Sequence, residues 1–215
     1  MANSQTVTTP QSIVATMRRF IHNRRTSMTT FRSALLTAAL FAGSAAIAAP
    51  VKYDIDPTHF YVQIGVSHLG YSTIPGLFKD VSGSYTYDSD SGEIKDVSVT
   101  VKIPSLDTGF GERDEHLQKY LESSEYPEAT FKSTAWKDGQ LTGELTFHGK
   151  TQSITVPVSK VGEGSDPWGG YRSGFSTAFD LKPADYGANI EVAPLVKVSV
   201  SGEGIRAGDK KEAAK

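Results

Sequence analysis

The chain has 215 residues, 38% of them hydrophobic and 21% charged, with 20 Gly, 10 Pro and no Cys. The absence of cysteine excludes disulfides, a thiolate nucleophile, Cys-ligated zinc or iron–sulfur centres and covalent c-type haem. The apolar fraction excludes a disordered chain, Gly plus Pro is far below collagen levels, and the length suits one large β domain or two small ones.

The charges are unevenly placed. Residues 1–48 carry five Arg (Arg18, Arg19, Arg24, Arg25, Arg32) and no Lys, Asp or Glu. From Ala34 to Ala49 the chain is almost purely apolar or small (ALLTAALFAGSAAIAA). A basic stretch, a short apolar run and a small-x-small end predict a secretory signal peptide. Ala46-Ile47-Ala48 places cleavage before Ala49. The run is about sixteen residues and Ala-rich, shorter than the ~20 apolar residues of a spanning helix; an uncleaved anchor is the alternative. Met28 opens a leader of ordinary length, which makes residues 1–27 an upstream extension. The predicted division is therefore 1–48 leader, 49–207 folded domain and 208–215 polar tail. Export implies the periplasm. The mature part keeps 17 basic residues against 24 acidic, an acidic balance that argues against nucleic acid and against electrostatic adhesion to anionic lipid.

From Val51 onward the chain alternates with period 2, the pattern of strands with one apolar face. Phe60, Val62, Ile64 and Val66 form one such set, and Val97, Val99, Val101 and Ile103 another. Leu141, Leu145 and Phe147 follow, with Gly143 on the same face. Ile154, Val156 and Val158 come next, then Phe175, Thr177, Phe179 and Leu181, then Val196, Val198 and Val200. Val51–Ile55 and Leu77–Tyr87 are further candidates. Asp88 to Gly92, Asp138-Gly139 and His148-Gly149-Lys150 read as turns, and Gly162 to Gly170 as a longer loop. The one helical pattern is Asp114 to Glu122, with Leu117, Tyr120 and Leu121 on one face and Asp114 as its N-cap. Short strands separated by turns predict an all-β sandwich or barrel.

No catalytic motif is present: there is no HExxH, no GxSxG and no phosphate loop. The histidines have no local metal spacing. His68 continues the inward parity of Phe60 to Val66, so it is either a core or strand-end histidine or a polar contact to a ligand. His148 reads as solvated at a turn, and His116 as lying on an exposed helix face or making a cap contact. Glu112-Arg113-Asp114 reads as a salt-bridged helix start or a head-group anchor. Trp168, in a Gly-Pro loop, reads as a lid over the core.

Five motifs in order carry a resemblance: HLGYS (68–72), GLFKD (76–80), ERDEHL (112–117), YPEATFKS (126–133) and DPWGGYRSGF (166–175). Together, over about Tyr53 to Gly204, the chain resembles the YceI-like family of exported polyisoprenoid-binding proteins. The resemblance implies an extended lipocalin-like antiparallel β-barrel of about eight strands with one short helix. It also implies an apolar interior for a polyisoprenoid or quinone-like lipid, with no catalytic residues, no metal and no cofactor beyond that lipid. The expected ligand-binding positions are Phe60, Val62, Ile64, His68, Tyr71, Phe78, Arg113, Leu117, Leu121, Phe131, Trp168, Phe175 and Phe179. Arg113, Lys79 or Arg172 would face a pyrophosphate head. The partners implied are the lipid itself and no nucleic acid, with transient membrane contact and a homodimer left open. Two other functions compete: an enzyme on an apolar substrate using His68 or His116, and a stress-related structural or interaction protein whose core is filled by side chains.

Overall fold

The computed structural model describes residues 49–209, so the leader, its cleavage point and the end of the tail lie outside the described residues. Alternation of apolar and polar residues puts one face of each strand toward a common axis, and the strands close around it. The strand segments are β1 (Val51–His68), β2 (Ser72–Phe78), β3 (Val81–Tyr87), β4 (Ile94–Lys102), β5 (Leu106–Asp107), β6 (Glu128–Lys137), β7 (Gln140–Phe147), β8 (Lys150–Ser165), β9 (Tyr171–Leu181) and β10 (Val196–Arg206). Among the described residues the single α-helix, α1, spans Gly111–Tyr120. β1 is long enough to pair with β3 along its first half and β2 along its second. β2 and β3 thus form one interrupted stave. The order runs β1–β2/β3–β4–β6–β7–β8–β9–β10, and β10 pairs back onto β1 with Val62 opposite Val200. The result is a closed antiparallel barrel of eight staves with no free long edge.

The eight-strand expectation holds by a compensated route. The two runs at Val51–Ile55 and Phe60–Val66 are one strand, β1, whose register with β10 shifts between Ile55 and Phe60. In exchange, β6 lies outside the alternating runs of the sequence, because its own register shift between Ser133 and Ala135 breaks the alternation. The loop expected over Gly162 to Gly170 is shorter, since β8 continues to Ser165. Hairpin turns stand where expected. Asp138 (φ 50°) and His148 (φ 49°) each precede a glycine that is also left-handed, the backbone that two-residue hairpin turns require.

α1 starts three residues earlier than its sequence pattern suggests. Phe110, not Asp114, is its N-cap, and no side chain caps it. Asp114 sits in the first turn, where its Oδ1 accepts from the Thr108 N–H (3.0 Å) and Oγ1 (2.5 Å). Arg113 donates to Thr108 Oγ1 and to its carbonyl. The Glu-Arg-Asp run therefore pins the approach loop instead of forming a salt-bridged start. In the tail, Asp209 is tied down, accepting from the Tyr171 N–H (2.9 Å) and Arg206 Nε (3.0 Å).

The two ends of the barrel are closed differently. At the end where β3, β6, β8 and the chain's first strand meet their turns, Tyr53 stacks on Tyr85 at 5.4 Å, and Phe175 sits edge-on to both Tyr85 and Tyr87. The Tyr85 hydroxyl donates to the Ser173 carbonyl (2.5 Å) and accepts from the Gly204 N–H (3.1 Å), tying β3 to β9 and β10. Burial raises the pKa of this phenol, which stays neutral. The same end carries an ionic latch. Arg172 donates to Asp56 Oδ2 (2.5 Å), Asp166 Oδ2 (2.7 Å) and Glu203 Oε1 (2.6 Å). Burial pushes Asp56 upward, but hydrogen bonds from Thr58, His59 and Arg172 outweigh it and hold the carboxyl well below its usual range. Arg172 likewise lowers Asp166.

At pH 7, replacing Arg172 by Leu should cost about 3–5 kcal/mol, because it strands buried carboxylates. Carboxyls depressed in the folded state contribute stability above the unfolded pKa of about 4. That contribution fades as pH falls through their folded pKa values. The gap between wild type and Arg172→Leu in urea titrations should therefore narrow below about pH 4. An equal gap at pH 7 and pH 3 would remove the latch from this account.

Candidate functional site: a hollow apolar interior

A barrel interior filled by side chains would bury its inward residues completely. Here they are not. Phe60, Ile64, Val66, Val99, Phe131, Leu145, Ile154, Phe175 and Phe179 all face the axis yet remain half-buried. They line a cavity of about 240 Å³. The cavity runs from Tyr85 and Ile94 near the aromatic plug to Leu117, Leu121 and Ile190 at the other end. Among its lining residues only Tyr85, Thr130, Ser176 and Thr177 are polar, and none is charged. This space matches the expected apolar interior and does not favour the competing reading of a core filled by side chains.

Two glycines help to keep the rings in place. A Cβ on Gly143 would lie 2.4 Å from the Phe131 ring, and one on Gly202 would lie 2.4 Å from the Phe60 ring. Each phenyl lies across the bare backbone of a neighbouring strand, which is why Gly143 occupies an apolar-face position.

Nine of the thirteen sequence-nominated positions line the cavity: Phe60, Val62, Ile64, Phe78, Leu117, Leu121, Phe131, Phe175 and Phe179. Four do not. His68 has the inward parity, but it stands at the last residue of β1 beyond the barrel rim and is exposed. Tyr71 is at the β1–β2 turn and 85% exposed. Arg113 is spent on Thr108. Trp168 lies on the β8–β9 turn at the plugged end, half-exposed, with the Arg172 guanidinium 5.5 Å over its ring, so it covers the latch and not the cavity. The cations nominated for a pyrophosphate are engaged: Arg172 in the latch, Lys79 on Asp107, Arg113 on Thr108. His148 is not solvated: its ring packs 4.3 Å from Tyr126, and its Nε2 is 2.9 Å from Glu122. His116 is exposed on α1, as expected.

Sequence reasoning missed the 182–195 segment. Its short 3-10 turn, Pro183–Tyr186, and the residues Ala188, Ile190 and Ala193 fold into the core. Tyr186 meets Phe147 edge-on at 5.8 Å. This irregular stretch has no periodicity to betray it. Asp56, His59 and Glu203 bring donor atoms within 4.8 Å of one another. The Arg172 guanidinium already bridges two of these groups, so the latch satisfies them as it stands.

These features define a class: a closed antiparallel β-barrel, plugged at one end, around a hollow apolar interior. The YceI-like domain family model matches residues 53–204, and the chain belongs to that family. It is 39% identical over 186 residues to a UPF0312 protein of Pseudomonas aeruginosa, covering 82% of this chain and 97% of the relative. It is 38% identical over 176 residues to Protein YceI of Escherichia coli O157:H7, covering 78% and 92%. Among solved structures, the YCEI protein of Campylobacter jejuni superposes with a TM-score of 0.58 at 28% identity, covering 68% of this chain and 91% of that one. A polyisoprenoid binding domain from Saccharophagus degradans shares the fold at TM-score 0.56 and 17% identity, covering 73% and 99%.

The hollow interior has a direct consequence for packing. In a solid core, a small-to-large change costs about 1–3 kcal/mol. Val200, opposite Val62 on the cavity wall, should accept Phe with a change within about 0.5 kcal/mol or a gain, because the added atoms fill empty space. Denaturant unfolding of Val200→Phe decides this, and a loss of the solid-core size would mean the cavity closes in solution.

Proposed function

We propose that this protein binds a polyisoprenoid or quinone-like lipid by its tail inside the barrel, as a carrier and not as an enzyme, in the periplasm after removal of the leader before Ala49. The observation that carries the reading is the uncharged, elongated cavity walled by half-buried apolar side chains. An eight-stranded barrel has room for one slender guest. The volume is a little below the ~300–1,000 Å³ of common small-molecule pockets, which suits a narrow chain better than a compact ring system. The polyisoprenoid binding domain with the same fold supports the lipid class.

The energetics set the mode of action. Burial stabilises a tail by about 0.8 kcal/mol per methylene, so each five-carbon unit contributes roughly 3–4 kcal/mol. Several units would pass the affinity ceiling near 20 kcal/mol. Lost chain entropy and the lipid's alternative home in a bilayer offset most of this. The guest is therefore held firmly against water and released readily to a membrane. Because no cation lines the cavity, the interior favours the tail or a neutral head, and a pyrophosphate would remain outside it.

An acid–base role for His68 or His116 has no geometric support, since both side chains are exposed and outside the cavity. Solvent extraction of protein purified from its native host, followed by mass spectrometry, should recover a prenyl lipid in near-stoichiometric amount. Val200→Phe should lower the binding of a fluorescent prenyl probe by at least about tenfold, or 1.4 kcal/mol. Repeatedly empty protein, together with a probe affinity that Val200→Phe leaves unchanged, would sink the carrier reading.

A further inference from the structure

The exposed apolar side chains are not scattered. Among the described residues, nine large hydrophobic side chains are exposed, and six of them (Leu69, Tyr71, Phe110, Tyr120, Val192 and Leu195) belong to the segments closing the unplugged end. These segments are the β1–β2 turn, the approach to α1, α1 itself and the loop before β10. The same segments supply the end wall of the cavity through Leu117, Leu121, Ile190 and Ala193. The apolar rim and the apolar interior are thus adjacent along the chain. The helix in this wall contributes no fully buried residue of its own.

Leu69 adds an independent observation. It sits at φ 54° and is 78% exposed. Five non-glycine residues among those described have positive φ: Leu69, Asp96, Glu122, Asp138 and His148. Four are polar, and Asp and His are among the types that tolerate this region best. Leu69 is the apolar one. Its side chain packs against no core and its backbone adopts a conformation that leucine resists. Folding gives no reason for a leucine at this tip.

We propose that this rim is a docking surface for a lipid bilayer, through which the cavity exchanges its guest. The inference rests on the carrier reading for the identity of the guest and goes beyond it in naming the surface and the route. A tail that dissolves only in an apolar phase must enter from one, and the rim lets the cavity end meet that phase without crossing water. The acidic balance of the chain after the leader, 17 basic against 24 acidic residues, offers no general attraction to anionic lipid. Docking therefore proceeds by insertion of apolar side chains and depends little on salt.

The test uses the protein purified after export, without the leader, and vesicles of phosphatidylcholine alone, with flotation to measure binding and a fluorescent prenyl probe to measure transfer. Wild type should float with the vesicles equally at low and high salt. Combining Leu69→Asn, Tyr71→Ser, Val192→Ser and Leu195→Ser should reduce flotation and vesicle-to-protein transfer at least about tenfold, in proportion to the apolar area removed. Probe loading from detergent should be unchanged. Leu69→Asn alone should weaken flotation while leaving thermal stability equal or higher, since Asn accepts the left-handed backbone; this separates docking from folding. Val161→Ser, an exposed residue of β8 away from the rim, should change nothing. Flotation and transfer unaffected by the four substitutions would overturn the proposal and leave the carrier reading standing. A rim buried in a stable dimer by sedimentation, dissolved by the same substitutions, would also overturn it by giving the rim to a second copy. Failure of detergent loading in wild type would strike the carrier reading instead, and flotation would still decide the rim.

Discussion

Everything in this molecule depends on the pairing of its first strand with its last. β1 and β10 join over ten residue pairs, from Tyr53–Arg206 to Val66–Val196. Without that seam the sheet would be an open ribbon with two edges and an apolar face in water. With it, period-2 alternation becomes radial: every second residue points at a common axis. Eight staves set a circumference that medium-sized side chains do not quite fill. The half-burial of Phe131, Phe175 and Phe179 is the local sign of that mismatch.

The two ends divide the work. At one, aromatic rings stack and Arg172 gathers Asp56, Asp166 and Glu203, groups drawn from the bulge of β1, the β8–β9 turn and β10. Such a cluster gains little over an apolar replacement but penalises the loss of any one member. It ties β9 to β1 and β10 beside the seam. At the other end, a lightly packed helix and an irregular loop cover the cavity. Ionic and aromatic contacts thus concentrate at one end of the barrel, and a helix with no fully buried residue of its own lies at the other.

Several residues of the motifs that resemble the family hold the architecture together. Arg113 and Asp114 hold Thr108. Asp166, Trp168 and Arg172 build and cover the latch. Gly76 leaves room for Ile64 and Leu106, whose side chains would lie 2.9 Å from an added Cβ. The cavity wall draws Phe78, Leu117, Phe131 and Phe175 from these motifs, and most of the rest of it from valines, leucines and isoleucines that no short motif marks.

What the sequence determined by itself was the period: alternation over β1, β4, β7, β8, β9 and β10 fixes which side chains lie inside, because a strand has only two faces. From it came the class of fold and five of the nine nominated cavity residues, Phe60, Val62, Ile64, Phe175 and Phe179; Phe78, Leu117, Leu121 and Phe131 lie outside the alternating runs. What only the tertiary structure decided was where each inward run stops and what irregular segments do. His68 has the parity of Val66 but lies past the rim, since parity carries no information about strand length relative to the barrel. Ile190 and Ala193 reach the core from a loop with no repeat. The emptiness of the interior is also tertiary, because it is the difference between a circumference set by strand number and a volume set by side chains, and neither quantity belongs to any one residue.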